Sequence, residues 1–234
     1  MKTFQLLKPL PIRRDERRHQ YVNIETKQWL NYSTTGVCNE LTEEAKENIE
    51  AYRYIWQPRG ETVHECLAET MLGNTDLDMG DYENIIVPLL DHPLFKNFEP
   101  LAIEHMMSIP DKSVGGQLDL LGYEIDPITS QKTLRLIDLK TKGNTKSGFY
   151  KREKEGMLWV QEIDKYWKEP YSTDKQLGCY VEMLKLNYGI VPSVCNTLWA
   201  YPGFSILGAA QPVERCEAAW QEAWEKFEAK QELF

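Results

Sequence analysis

The stretch LRLIDLKTKGNTKSG, Leu134 to Gly148, decides which fold this sequence can adopt. Its first residues predict a buried β-strand, because leucine and isoleucine dominate them. Asp138 and Lys140 interrupt the apolar run, and a charge in a buried strand is costly unless a partner or a ligand offsets it. The strand therefore predicts a place where an aspartate and a lysine have a chemical task.

A turn before this strand predicts which residue faces Asp138. The segment GGQLDLLGYEI, Gly115–Ile125, predicts a preceding strand, and Asp126–Gln131 has the composition of a turn. In an antiparallel pair centred on that turn, Asp119 lies opposite Asp138, with the two Cβ atoms about 5 Å apart. Like charges in this arrangement repel, so we expect a hard divalent cation such as Mg²⁺ or Mn²⁺ between them.

Lys140 follows Asp138 by two residues and therefore projects from the same face of the strand. There it can hold a water molecule or balance negative charge on a phosphate. The alternative is an exposed ladder in which Lys140 only pairs with an aspartate. Apolar neighbours favour the buried interpretation, because buried charges are rarely kept without a partner or a role. These neighbours are Leu118, Leu120, Leu121, Ile137 and Leu139.

The periodicity of the remaining chain predicts helices on both sides of a run of strands. Thr42 is suited to cap a helix that Pro58 would end. The order of elements predicts an α/β or α+β fold, with a central mixed β-sheet flanked by helices. We expect a single domain, with an N-terminal arm and helix in 1–57, a core in 58–201 and a C-terminal helix in 202–234. The predicted helices span 41–57, 61–72, 81–90, 173–186 and a segment from 212, and the predicted strands span 101–107, 115–125, 132–140 and 194–201.

Composition and charge restrict the class of protein. The net charge of −9 argues against a general nucleic-acid coat protein, although basic residues concentrate at Arg13–Arg18 and Lys140–Lys154. The five cysteines are scattered without CxxC spacing, so we expect neither a disulfide framework nor an iron–sulfur cluster. We also expect no signal peptide, no membrane span and a reducing, cytoplasmic setting. Asp15 and Glu16 argue against a mitochondrial transit peptide at Pro11–Gln20.

Five short motifs follow one another over about half of the chain. They are GETVH with His64, AIEH with Glu104, GQLD with Asp119, DLK with Asp138 and Lys140, and QLGCY with Gln176 and Tyr180. In this order they resemble the PD-(D/E)XK nucleases, and most closely the RecB-like exonuclease branch of phage and mitochondrial exonucleases. The proline of the family name has no counterpart beside Asp119.

The resemblance implies a restriction-endonuclease-like core and a Mg²⁺- or Mn²⁺-dependent exonuclease that acts on single-stranded or duplex DNA in recombination, repair or degradation. It leaves open a recombination partner protein or a homo-oligomer. Two other functions also stay open: a non-catalytic DNA-binding or recombination-partner module on the same fold, and an endonuclease of the same superfamily.

The resemblance also assigns roles to single residues. Lys140 would orient or activate the attacking water. Glu104 would bind a second ion or hold a water, unless it is a solvent-facing strand residue. The implied metal ligands are His64, Asp119, Asp138 and the backbone carbonyl of Leu139. The implied supporting or DNA-binding residues are Gln176, Tyr180, Lys142, Lys146, Lys151 and Arg152.

Overall fold

A computed structural model describes residues 5–15, 18, 20–39, 41–143 and 167–232 of the chain. The strands of this part are β1 (Ile12–Asp15), β2 (Gln20–Asn23), β3 (Trp29–Leu30), β4 (Tyr32–Ser33), β5 (Phe98–Ile109), β6 (Val114–Ile125), β7 (Lys132–Thr141), β8 (Val194–Tyr201) and β9 (Phe204–Leu207). The helices are α1 (Thr34–Cys38), α2 (Glu43–Ala51), α3 (Arg53–Met71), α4 (Glu83–Leu90), α5 (Asp174–Tyr188) and α6 (Val213–Gln231). Short 3₁₀ turns lie at Gly80–Tyr82, Pro93–Asn97 and Pro110–Lys112.

A six-stranded mixed sheet forms the centre of the described structure. The strands β5, β6 and β7 are antiparallel neighbours, β8 is parallel to β7, and β9 lies antiparallel at the edge beyond β8. The short strands β1, β2 and β3 form a separate antiparallel sheet from the N-terminal arm. The predicted α+β class with a mixed sheet between helices is therefore confirmed.

The predicted register of the β6–β7 hairpin is also confirmed. Ile125 pairs with Lys132 next to the turn, and the same register continues to Leu120 and Ile137. Asp126 fixes the turn, because its carboxylate accepts hydrogen bonds from the backbone N–H groups of Ile128 and Thr129. This Asx-type turn is a local feature, which explains why the turn composition was sufficient to predict the register.

The two strands separate immediately beyond the last pair. The first residues of β6 pair instead with β4, where Ser33 lies opposite Gly115 in a parallel arrangement. One edge of β6 therefore has β4 at one end and β7 at the other, with Asp119 in the gap between them. Backbone groups in such a gap need side-chain partners, because an unpaired buried N–H or C=O is costly.

The helix before His64 differs from the prediction. Thr42 caps α2 as expected, with its hydroxyl accepting a hydrogen bond from the N–H of Ala45. The predicted end at Pro58 is wrong, because α2 stops at Tyr52 and Pro58 lies inside α3. Proline removes the hydrogen bond to the carbonyl of Tyr54. Tyr54 is among the most exposed residues, so water can bond that carbonyl.

Two apolar cores cover the two faces of the central sheet. The first core joins β5 and β6 to α5 and α6, and the second joins β7 and β8 to α3 and α4. The apolar stripe of α6 lies in the first core, with Trp220 and Trp224 buried and Phe227 packed against them. On α5, Leu177, Val181 and Leu184 are all fully buried.

Two further features bear on the class of protein. In the part of the chain that the structure describes, no helix is both long and apolar enough to cross a membrane. All five cysteines lie in that part, and each is a free thiol. The strand β9 was not predicted, so the region expected to hold only the C-terminal helix also contributes an edge strand.

Candidate metal centre

Three of the predicted site residues converge from three different elements. His64 comes from α3, Glu104 from β5 and Asp119 from β6. One ligand atom from each lies within 4.8 Å of the other two. His64 Nδ1 is 2.9 Å from Glu104 Oε1 and 3.6 Å from Asp119 Oδ1. The imidazole therefore lies between two carboxylates that would otherwise repel each other.

Glu104 reaches this position through an unusual backbone conformation. The neighbouring pairs, Ile103 with Leu120 and His105 with Leu118, set Glu104 across from Asp119. Its φ of 43° lies in the left-handed region, which is rare for any residue other than glycine. Strained conformations of this kind cluster at functional sites. The backbone at Glu104 thus places its carboxylate in the candidate cluster, and its role as a metal or water ligand stays a prediction.

At the gap between β6 and β7, a backbone N–H group of β7 holds the side chain of Asp119 in one orientation. Its Oδ2 accepts a hydrogen bond of 2.6 Å from the backbone N–H of Leu139, which no longer pairs with β6. Its other oxygen faces His64. The contact from Leu139 to Asp119 is thus made by the N–H group, while the predicted role of the Leu139 carbonyl as a metal ligand stays a prediction.

Asp138 and Lys140 form a buried ion pair next to this group. Lys140 Nζ donates a hydrogen bond of 2.9 Å to Asp138 Oδ1 and a longer one of 3.2 Å to Gln176 Oε1. Gln176 in turn donates to the hydroxyl of Tyr180 at 2.9 Å. Asp138 is fully buried, and its Oδ2 lies 2.8 Å from Lys140 Nζ without the geometry of a hydrogen bond. The predicted lysine, glutamine and tyrosine therefore form one chain of contacts.

The charged side chains of the site shift one another's pKa values. Burial alone would lower the pKa of His64, but Asp119 and Glu104 outweigh burial and raise it to about 9. Burial raises the pKa of Asp119, and the charges of Asp138 and Glu104 act in the same direction against His64. Burial would likewise lower the pKa of Lys140, but Asp138 and Asp119 raise it. Near pH 7 the metal-free site therefore holds an imidazolium and an ammonium, while Asp119, whose pKa is raised to about 7, is only partly ionised.

The donor set fits a divalent cation. One imidazole nitrogen and two carboxylates are already gathered, and imidazole and carboxylate are common ligands of first-row divalent metals. The buried Oδ2 of Asp138 lies 2.8 Å from the Lys140 ammonium but has no hydrogen bond among the described residues, so it keeps lone pairs that can coordinate a metal ion. The donors that the structure gathers are His64, Glu104 and Asp119. The predicted cation between Asp119 and Asp138 stays a prediction.

Other predicted residues fall into two groups. Lys142 lies over two aromatic rings, with Nζ 4.4 Å from the centroid of Tyr171 and 5.3 Å from that of Trp199. Trp167 packs in the core against Trp199 and donates a hydrogen bond to the Tyr201 hydroxyl. The remaining predicted basic residues, Lys146, Lys151 and Arg152, and the aromatic residues Tyr150, Trp159 and Tyr166 lie outside the described residues.

Two residues beside the site were not predicted from the sequence. Gln117 donates a hydrogen bond of 2.5 Å from Nε2 to Glu104 Oε2 and so orients that carboxylate. It precedes Asp119 by two positions, so the period of the strand could have placed it on the same face. Arg59 was missed because the expected helix end at Pro58 separated it from the helix of His64.

No protein-family model and no curated protein matches this chain.

Proposed function

We propose that this protein is a metal-dependent DNA exonuclease of the PD-(D/E)XK type, with a role in DNA recombination, repair or degradation. The observation that supports it most is the convergence of His64, Glu104 and Asp119 beside the buried Asp138–Lys140 pair. Carboxylates with a lysine and a divalent cation are a chemical set suited to phosphodiester hydrolysis. The five motifs in order support Mg²⁺ or Mn²⁺ as the cation.

Each side chain of the site has a separate proposed role. His64, Glu104, Asp119 and Asp138 would hold the cation, which when bound would offset charge on the scissile phosphate and make a water easier to deprotonate. The N–H of Leu139 keeps Asp119 in one orientation. Lys140 stays protonated because of its carboxylate neighbours, so it orients a water or a phosphate oxygen as a donor.

Gln176 and Tyr180 hold the lysine in place. Gln176 accepts from Lys140 and donates to Tyr180, and the two residues are four apart on α5, so they share one face of the helix. Tyr180 is buried in the first core, where a tyrosine hydroxyl needs a partner. Its contact with Gln176 therefore supports the position of Lys140, and we assign Tyr180 no direct contact with the substrate.

The decisive experiment compares two variants of β7. We expect Lys140→Ala to lower cleavage of end-labelled DNA in Mg²⁺ or Mn²⁺ by at least about 100-fold, while DNA binding persists. Lys132→Ala is the matched control, because Lys132 lies at the other end of the same strand and contacts Glu99 and the ring of Tyr123 instead of the site residues. Asp138→Ala should behave as Lys140→Ala does. Full activity in purified, folded Lys140→Ala or Asp138→Ala protein would contradict the proposal.

Two further assays separate the alternative functions. Circular single-stranded DNA stays intact with an exonuclease and is cut by an endonuclease. Calorimetric titration with Mn²⁺ tests the non-catalytic module, since a protein that only binds DNA has no need to bind the ion. Single- and double-stranded oligonucleotides with each end blocked in turn then give the polarity and the strand preference.

A further inference from the structure

Arg59 has a buried donor that nothing in the described structure satisfies. Its Nε is inaccessible to solvent and has no hydrogen-bond acceptor among the described residues. The guanidinium packs against the backbone of Gly143, since a Cβ at that position would overlap Arg59 Nη1. Burial lowers the pKa of Arg59, while Tyr82 favours its charged form. An arginine keeps its charge in proteins, so this site calls for an acceptor.

Lys142 presents a second cation close to Arg59. Its ammonium is held over the rings of Tyr171 and Trp199, and its backbone N–H donates to the carbonyl of Ala200. Aromatic faces stabilise a cation but leave its charge uncompensated. Burial lowers the pKa of Lys142, and the charges of Arg59 and Lys140 lower it further. The two side chains are therefore near enough to repel each other.

Neither cation has a carboxylate partner among the described residues. The ion pairs of the described structure involve other basic groups, and the carboxylates of Asp138 and Asp119 are bound to Lys140, His64 and Leu139. Two half-buried cations that repel each other without a counterion are unfavourable in the absence of a ligand. Their combined charge favours an anion with several acceptor oxygens, such as a phosphate.

The position of the pair relates it to the candidate metal centre. Lys142 lies two residues beyond Lys140, and Arg59 lies five residues before His64 on α3, about 7.5 Å along the helix axis. A strand whose phosphate is at the metal centre would therefore carry another phosphate within reach of both cations. We propose that Arg59 and Lys142 form an anion subsite that binds a second phosphate of the nucleic-acid substrate. This inference rests on the proposed function.

The test measures binding of a short, fluorescein-labelled single-stranded DNA by anisotropy in EDTA, so that cleavage is not required. We expect Arg59→Gln with Lys142→Gln to weaken binding about tenfold or more, because charge-assisted hydrogen bonds are lost. The slope of log Kd against log salt should fall by about 0.7, the value for one phosphate of a single strand. Lys96→Gln with Lys230→Gln makes the same change of charge at exposed residues and should leave both values unchanged.

Substituted DNA identifies which phosphate is bound. A neutral methylphosphonate is placed at one linkage at a time, and the two strand ends are tested with and without a terminal phosphate. We expect the wild-type protein to lose affinity at one position, and the double variant to be insensitive at that same position. A position at the end identifies a terminal phosphate, and an internal position identifies a backbone phosphate. Arg59→Lys keeps the charge without the planar fork and should recover part of the loss.

The outcomes separate this inference from the proposed function. If the double variant is folded by circular dichroism and binds like the Lys96→Gln, Lys230→Gln control, the subsite is refuted, even if the wild-type protein cleaves DNA. If the position-specific loss is seen and the wild-type protein cleaves nothing in Mg²⁺ or Mn²⁺, the subsite stands and the nuclease proposal fails. Variants that do not fold are replaced by Arg59→Lys, for which an unchanged position profile is the refuting result.

Discussion

In the metal-free protein, the carboxylate of Asp119 has one favourable and one unfavourable interaction. Its carboxylate accepts the hydrogen bond that the N–H of Leu139 needs, yet it lies among other carboxylates. Burial raises its pKa above the usual value, so folding favours the neutral form. A raised carboxyl pKa means that the ionised form lowers stability as the pH rises above the unfolded value. A bound cation would favour the ionised form of Asp119 and so offset this loss of stability.

We therefore predict that Asp119→Asn separates folding from metal binding. The asparagine oxygen can still accept from Leu139 and carries no charge, so the Tm without metal should equal or exceed that of the wild-type protein. The wild-type protein should gain about 2.7 kcal/mol when Mn²⁺ is 100-fold above its Kd, and the variant should gain almost nothing. Thermal unfolding with and without Mn²⁺ measures both. The exposed control Asp111→Asn should keep the full Mn²⁺ effect, and an equal effect in Asp119→Asn would contradict the prediction.

His64 gives the site a pH dependence with a definite sign. Its pKa of about 9 means that the imidazole is protonated at about pH 7.5 when no metal is bound. A metal ligand must be deprotonated, so Mn²⁺ binding should release about one proton and should strengthen as the pH rises towards 9. Calorimetry in two buffers of different ionisation enthalpy counts the released protons. His105 has a pKa that burial lowers, so His105→Gln should leave the count unchanged, whereas His64→Ala should reduce it.

At the scale of the element, β5 changes face at Glu104. Ala102 and Met107 both belong to the first core although an odd number of positions separates them, which a regular strand does not allow. The left-handed backbone of Glu104 lies between the two and produces the change. The strand thus contributes to the first core on both sides of Glu104 and still directs a carboxylate towards α3.

This conformation predicts a reversed order of stability for two small residues. Within a strand, glycine is ordinarily less stable than alanine. At position 104 we expect Glu104→Gly to be more stable than Glu104→Ala by about 1 kcal/mol, because only glycine adopts a φ of this sign without strain. Both variants lack the carboxylate, so the comparison isolates the backbone. Urea denaturation measures it. Met106→Gly and Met106→Ala, on the same strand, should show the ordinary order, and the ordinary order at 104 as well would disprove the strain.

At the scale of the whole molecule, the first core ties the C-terminal helix to the sheet. Trp220 on α6 is fully buried, donates a hydrogen bond to Glu182 on α5 and lies 5.5 Å from the ammonium of Lys112. Glu182 also bonds Lys112 at 2.7 Å, so one contact network joins α5, α6 and the turn before β6. Because α5 also carries Gln176 and Tyr180, the candidate site depends on this packing.

We predict that Trp220→Ala lowers the free energy of unfolding by about 3–5 kcal/mol, the usual cost of truncating a buried tryptophan. Trp29→Ala should cost far less, because Trp29 is 37% exposed. Urea unfolding followed by far-UV circular dichroism measures both variants. Near-equal losses in the two would show that α6 does not hold the core as described. Loss of DNA binding in Trp220→Ala below its unfolding midpoint would further link the packing to the site.

Much of this architecture follows from local sequence. The β6–β7 register was predictable because Asp126 makes a turn from its own neighbours, and a turn fixes the pairing of its strands. The inward stripes of α5 and α6 were predictable because their period matches that of a helix. The end of the helix at Pro58 was predicted wrongly, since the helix breaks at Tyr52 instead and α3 continues through the proline.

The sequence was sufficient to nominate most of the candidate site residues, because their types and their order along the chain are local information. Only the tertiary structure decided how they meet. It separates β6 from β7 at Asp119, turns the backbone at Glu104 and brings Arg59 beside Lys142. The physical reason is that hydrogen-bond pairing and side-chain period act over neighbouring residues. The contacts of a charged site, in contrast, depend on where distant strands and helices pack.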